Sequence, residues 1–60
     1  MKYYSIQCFH HAFSGNIKAE TEEEAMKFHK DHAEKNGTAR TRMIEITKNF
    51  YEINEKFKLN

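Results

Sequence analysis

The chain has no proline and no tryptophan, two glycines and one cysteine among 60 residues. Without proline there are no rigid extended linkers, and two glycines leave few places for tight left-handed turns. The lone Cys8 excludes an internal disulfide, and such cysteine usage fits a reducing compartment. No stretch approaches the ~20 apolar residues needed to cross a bilayer. The opening residues Met1-Lys2-Tyr3-Tyr4-Ser5 lack the apolar run of a signal peptide. These absences lead to the expectation of a cytoplasmic protein. Glycine-rich phosphate loops and closely spaced catalytic acid pairs are also missing, and a chain this short has little room to enclose a substrate. The expectation is therefore a non-enzymatic protein without a cofactor.

One domain is all that the length allows, and such a domain buries roughly 60% of its unfolded surface. A core that thin gains from a second copy or a partner. The net charge of +1 is unevenly spread. Residues 1–19 carry Lys2 and Lys18 and no acid. Residues 20–35 carry six acids against three lysines, and residues 36–60 carry five basic residues against three acids. An acidic middle between mildly basic ends falls short of the basic patch of a dedicated nucleic-acid binder.

What is present is a clear helix entry. In Ala19-Glu20-Thr21-Glu22-Glu23-Glu24-Ala25, Thr21 is placed to accept the Glu24 N–H, with the Glu24 carboxylate able to reach back to the Thr21 N–H. Three glutamates in the first turn suit the positive end of the helix dipole. The periodicity predicts a helix from Glu22 to Lys35, ended by Asn36-Gly37 with Gly37 in a left-handed cap. Ala25, Met26, Phe28, His29, His32 and Ala33 share one arc of it.

On either side the pattern is β-prone. Tyr3 to Phe13 and Asn16 to Glu20 read as strands about a Ser14-Gly15 turn, with Phe13 opposite Asn16. Tyr4, Ile6, Cys8, His10 and Ala12 then share the inner face with Ile17, Ala19 and Thr21. Met43 to Thr47 reads as a third strand, Lys48-Asn49 as a turn, and Phe50 to Phe57 as its return, with Arg42 opposite Glu55. Phe50, Ile53 and Phe57 also fit helical spacing, but the strand reading is preferred. The predicted fold is α+β: ββαββ, a small antiparallel-rich sheet with one amphipathic helix on one face.

One helix covers one side of such a sheet. The other would display Tyr3, Gln7, Phe9, His11, Phe13, Lys18, Met43, Phe50 and Lys56. A contiguous apolar patch of that kind marks an interaction site, so Tyr3, Phe9, Phe13, Met43 and Phe50 are the expected protein-binding residues, for a partner or for a homodimer. The runner-up reading uses Tyr3, Phe9, Phe13 and Phe50 as stacking platforms for single-stranded nucleic acid, a reading weakened by the acids Glu20, Glu45 and Glu52 on that side. A third is a homodimeric zinc-stabilised module. Cys8 and His10 on a strand with His29 and His32 on the helix are four ligands of acceptable type, although their spacing matches no closed zinc pattern. Inward histidines with ordinary hydrogen bonds are the simpler expectation.

Residues Ile17 to Ala25, Ile-Lys-Ala-Glu-Thr-Glu-Glu-Glu-Ala, resemble the strand-to-helix junction of small phage-encoded inhibitors of bacterial RNA polymerase. Those proteins are similar in length and in element order, with an N-terminal hairpin, one helix and a returning strand. The resemblance extends over roughly residues 10–47. It implies a regulator or inhibitor acting in the host cytoplasm, which docks on a host nucleic-acid-handling enzyme through helix-side acids and strand-side bases. In this chain those are Glu20, Glu22, Glu23, Arg40 and Arg42.

Overall fold

The computed structural model describes residues 1–8, 14–35, 37 and 41–60, with Cys8 described by its backbone. Strand β1 (Lys2–Cys8) and strand β2 (Gly15–Ala19) lead into helix α1 (Glu22–Lys35), followed by strand β3 (Thr41–Ile46), a short helix α2 (Lys48–Ile53) and one 3-10 turn, Glu55–Phe57. The sheet order is β2-β1-β3, antiparallel throughout.

Local chemistry explains α1. The Thr21 hydroxyl accepts the Glu24 N–H at 3.1 Å, and the Thr21 carbonyl accepts the Ala25 N–H at 3.1 Å. At the other end Gly37 has φ +65° and donates to the Glu34 carbonyl at 3.2 Å. Only glycine enters that left-handed region without a steric cost. The helix buries Ala25 fully against Tyr4, Ile6, Ile17 and Ala19, with Phe28, Met43 and Leu59 at the margin of this core. Met26, expected on the buried arc, is half exposed.

Three expectations are corrected. First, Ser14-Gly15 is not the hairpin turn. Gly15 lies within β2 opposite Ile6, and Asn16 faces Ser5 rather than Phe13. The displacement is an even number of residues, so the faces survive: Tyr4 and Ile6 still point inward with Ile17 and Ala19. Second, there is no returning strand over 50–57. Thr47 caps α2 instead, its hydroxyl accepting the Phe50 N–H at 3.1 Å and its carbonyl the Tyr51 N–H at 3.1 Å. The architecture is still a small α+β fold, but the ββαββ order is not met. Third, Arg42 sits opposite Gln7, not Glu55, and its Nε donates to the Gln7 side-chain oxygen at 2.9 Å.

The face opposite α1 is the one where α2 lies. Tyr51, 1% exposed, packs its ring against Tyr3 at 5.1 Å between centroids. Beyond the 3-10 turn the chain runs parallel to β2. Leu59 N–H donates to the Asn16 carbonyl at 2.8 Å, and the Asn60 side-chain amide bonds both the N–H and the carbonyl of Lys18 at 2.9 Å. A side-chain amide here does the work of a peptide group and closes the outer edge of β2.

Candidate functional site

The residues expected on the uncovered sheet face separate into different settings. Tyr3 lies on that face but is covered by Tyr51. Met43 belongs to the other side, paired with Ile6 and packed on the α1 core. The reason is parity: once Met43 pairs with the buried Ile6, Ile44 and Ile46 must point the opposite way, beside Ser5 and Tyr3. Phe50 is on α2 and half exposed. Phe9 and Phe13 lie outside the described residues.

What α2 creates is a cleft of about 240 Å3 lined by Ser5, Ser14, Gly15, Asn16, Phe50, Asn54 and Phe57. Its walls come from a helix break. Asn54 leaves helical geometry at φ −95° and ψ 55°, and both its N–H and its Nδ2 donate to the Phe50 carbonyl, at 3.3 and 2.9 Å. The next turn starts there, with Phe57 N–H donating to the Asn54 carbonyl at 3.0 Å. Phe50 and Phe57 therefore stand on either side of Asn54, 49% and 46% exposed. The lining also takes in Ser5, the exposed Ser14 and the buried Asn16, and its surface is mostly apolar. Near the rim Lys56 lies over the Phe57 ring at 5.3 Å, and Lys58 over the Tyr51 ring at 4.8 Å. Lys58 also bonds Glu52 at 3.3 Å. Desolvation lowers the Lys58 pKa, but the hydrogen bond and charge of Glu52, with Glu55 and Tyr51, outweigh it and leave the group raised.

Chemically the cleft offers two aromatic walls and neutral hydroxyl and amide groups. No carboxylate, histidine or thiol is among its described lining residues. Its volume falls below the ~300–1,000 Å3 of small-molecule sites.

The charged residues do not converge. Glu20, Glu22 and Glu23 are exposed where β2 enters α1, at the Lys2 end of β1. Arg42 is at the Gln7 end. Five strand residues at ~3.3 Å each put these ends about 17 Å apart. Arg40 lies outside the described residues.

On the α1 side, His29 Nε2 is hydrogen-bonded to the Thr41 hydroxyl. His32 stacks on Phe28 with centroids 6.2 Å apart. Burial, with the nearby His32 charge adding to it, pushes the His29 pKa below its ordinary value of 6.5. Among the described residues no group of three or more His, Cys, Asp or Glu is arranged to hold a metal. Cys8 faces Thr41 in the β1–β3 register, and His10 lies outside the described residues.

Sequence reasoning found Phe50 but assigned it to a strand, and it missed Asn54 and Phe57. The signal was there, since Phe50, Ile53 and Phe57 keep helical spacing and Thr47 is a competent N-cap. No helix is long and apolar enough to cross a membrane among the described residues. No protein-family model, curated protein or solved structure matches this chain.

Proposed function

We propose that this chain is a non-enzymatic protein-binding module that docks on a larger protein by taking an apolar side chain between Phe50 and Phe57. The observation that carries this reading is the half-exposed pair of phenylalanines flanking a mostly apolar cleft. Binding energy at protein interfaces concentrates in a few buried anchors, and aromatic walls around a pocket of one side chain's size are how such anchors are received. The lining supplies contacts and neutral hydrogen-bonding groups rather than a proton-transfer pair. The finer reading, a regulator or inhibitor of a host nucleic-acid-handling enzyme, rests on the junction Ile17 to Ala25 and its exposed Glu20, Glu22 and Glu23. The test uses purified bacterial RNA polymerase and the chain in sedimentation, with wild type, F57S and an E22Q/E23Q variant. Co-migration lost in F57S supports cleft docking, and loss in E22Q/E23Q supports the acidic contribution. No co-migration of the wild type removes the polymerase reading.

A second reading draws on the placement of Lys56 and Lys58 over aromatic rings. Single-stranded nucleic acid favours bases stacked beside cations. Glu52 and Glu55 next to those lysines reduce the positive surplus that phosphate needs. Oligonucleotide anisotropy at low and high salt decides the matter, because true binding must weaken steeply with salt.

A further inference from the structure

We propose that the outer edge of β3 is a self-association edge, where two copies of this chain pair antiparallel into one continuous sheet of order β2-β1-β3-β3-β1-β2. The two edges of the sheet are treated differently by the fold. The β2 edge is occupied by residues 58–60 through the Asn16–Lys58 bridge and the Leu59 and Asn60 hydrogen bonds. Among the described residues no backbone group pairs with the outer edge of β3. A strand's free N–H and C=O groups are a template for another strand, and proteins that must stay single blunt such edges with charged residues, lysine above all, or with proline, bulges or shortness. In β3, Thr-Arg-Met-Ile-Glu-Ile, there is no proline or lysine, and of its two charged residues Arg42 is engaged by the Gln7 side chain while Glu45 remains exposed. Its register with β1 runs unbroken from Tyr3–Ile46 to Cys8–Thr41, without a bulge.

The side chains select a second copy as the occupant. Antiparallel edges related by a two-fold axis must oppose residues of the same face, so the axis passes through a residue rather than between two. Centred on Glu45, the pairing sets like charges against each other. Centred on Met43, it leaves the apolar Ile46 without a partner in β3, whereas centring on Ile44 leaves only the polar Thr41 so. Centred on Ile44, it sets Ile44 against Ile44 and Arg42 against Ile46 on one face, and Met43 against Glu45 on the other. No like charges are directly opposed. Ile44, 40% exposed in the single chain, then meets its own copy with Ile46 alongside. The aliphatic strip this makes lies on the face that carries α2. This edge is separate from the Phe50–Phe57 cleft, and the pairing does not depend on what that cleft binds.

Sedimentation equilibrium from micromolar to millimolar chain tests the proposal. The expected result is a mass rising from monomer towards dimer. I44K, which places two ammonium groups at the axis, should remain monomeric across the range, while I44V should still pair. F57S should leave the association unchanged. On the wild type, which needs no variant to fold, amide exchange should slow with concentration at alternate residues of β3. Monomer at every concentration overturns the proposal. So does a dimer that folded I44K retains, or concentration-dependent protection lying elsewhere.

Discussion

Burial favours the neutral form of His29, with the charge of His32 acting in the same direction, and its Nε2 is hydrogen-bonded to the Thr41 hydroxyl. Its folded pKa lies below the ordinary 6.5, so between the two values the unfolded chain binds more protons. Its contribution is complete above the ordinary value and is lost as pH falls towards the folded one. Urea midpoints should therefore drop between pH 7 and pH 5, and H29Q should show a shallower drop than the wild type. Equal slopes for the two chains would remove His29 as the cause. Gly15 poses a different problem. A Cβ there would stand 2.5–2.8 Å from the Leu59 side chain, closer than packed carbons approach. G15A is expected to cost about 1–3 kcal/mol, the usual range for overpacking, and most of that should vanish when the same change is made in L59A. A denaturation double-mutant cycle measures the coupling. From the sequence Gly15 looked like a turn residue, since Ser-Gly is ordinary turn chemistry. Its actual use is room for a side chain 44 positions away, which no local pattern records.

The two helices differ in how much of their stability is local. Helix α1 has 14 residues, glutamates in its first turn, a threonine cap and a glycine stop. Helix α2 has six residues and no acid in its first turn. A helix that short does not hold in isolation, so its Thr47 cap and its Tyr51 anchor carry it. T21A and T47A should each cost about 1 kcal/mol by chemical denaturation. The loss in T47A should also shift the Phe50 and Phe57 signals in a methyl or aromatic spectrum, because the cap orients that end of the cleft. T21A should leave those signals in place. The same contrast explains why the bounds of α1 were readable and α2 was mistaken for a strand. Phe50 to Phe57 satisfies two periodicities at once, and eight residues are too few for one to win. The inward faces of Tyr4, Ile6, Ile17 and Ala19 were right while the hairpin's pairing was wrong, because alternation encodes the face of a residue but not its partner.

At the scale of the molecule, Tyr51 joins the parts. Its ring meets Tyr3 on β1, Lys58 lies over it, and its hydroxyl donates to the Asn60 carbonyl at 2.6 Å. Removing a buried aromatic costs about 3–5 kcal/mol. A chain of 60 residues has about 3–9 kcal/mol in all. Y51A is therefore expected to unfold at a far lower urea concentration than the wild type, whereas Y51F loses one hydrogen bond, about 1 kcal/mol, and unfolds close to it. An unchanged midpoint in Y51A would show that the Tyr51 anchor is dispensable to the fold. By itself the sequence determined the extent of α1 and which side chains of β1 and β2 turn inward, because capping, dipole and alternation act over a few neighbouring residues. The tertiary structure alone decided the fate of residues 48–60. A sheet with one face under α1 leaves Tyr3 on the other, and burying Tyr51 against it outweighs the β preference of the segment. That choice places Tyr51 over Tyr3 on the face expected to be bare and sets Phe50 and Phe57 in the wall of a cleft.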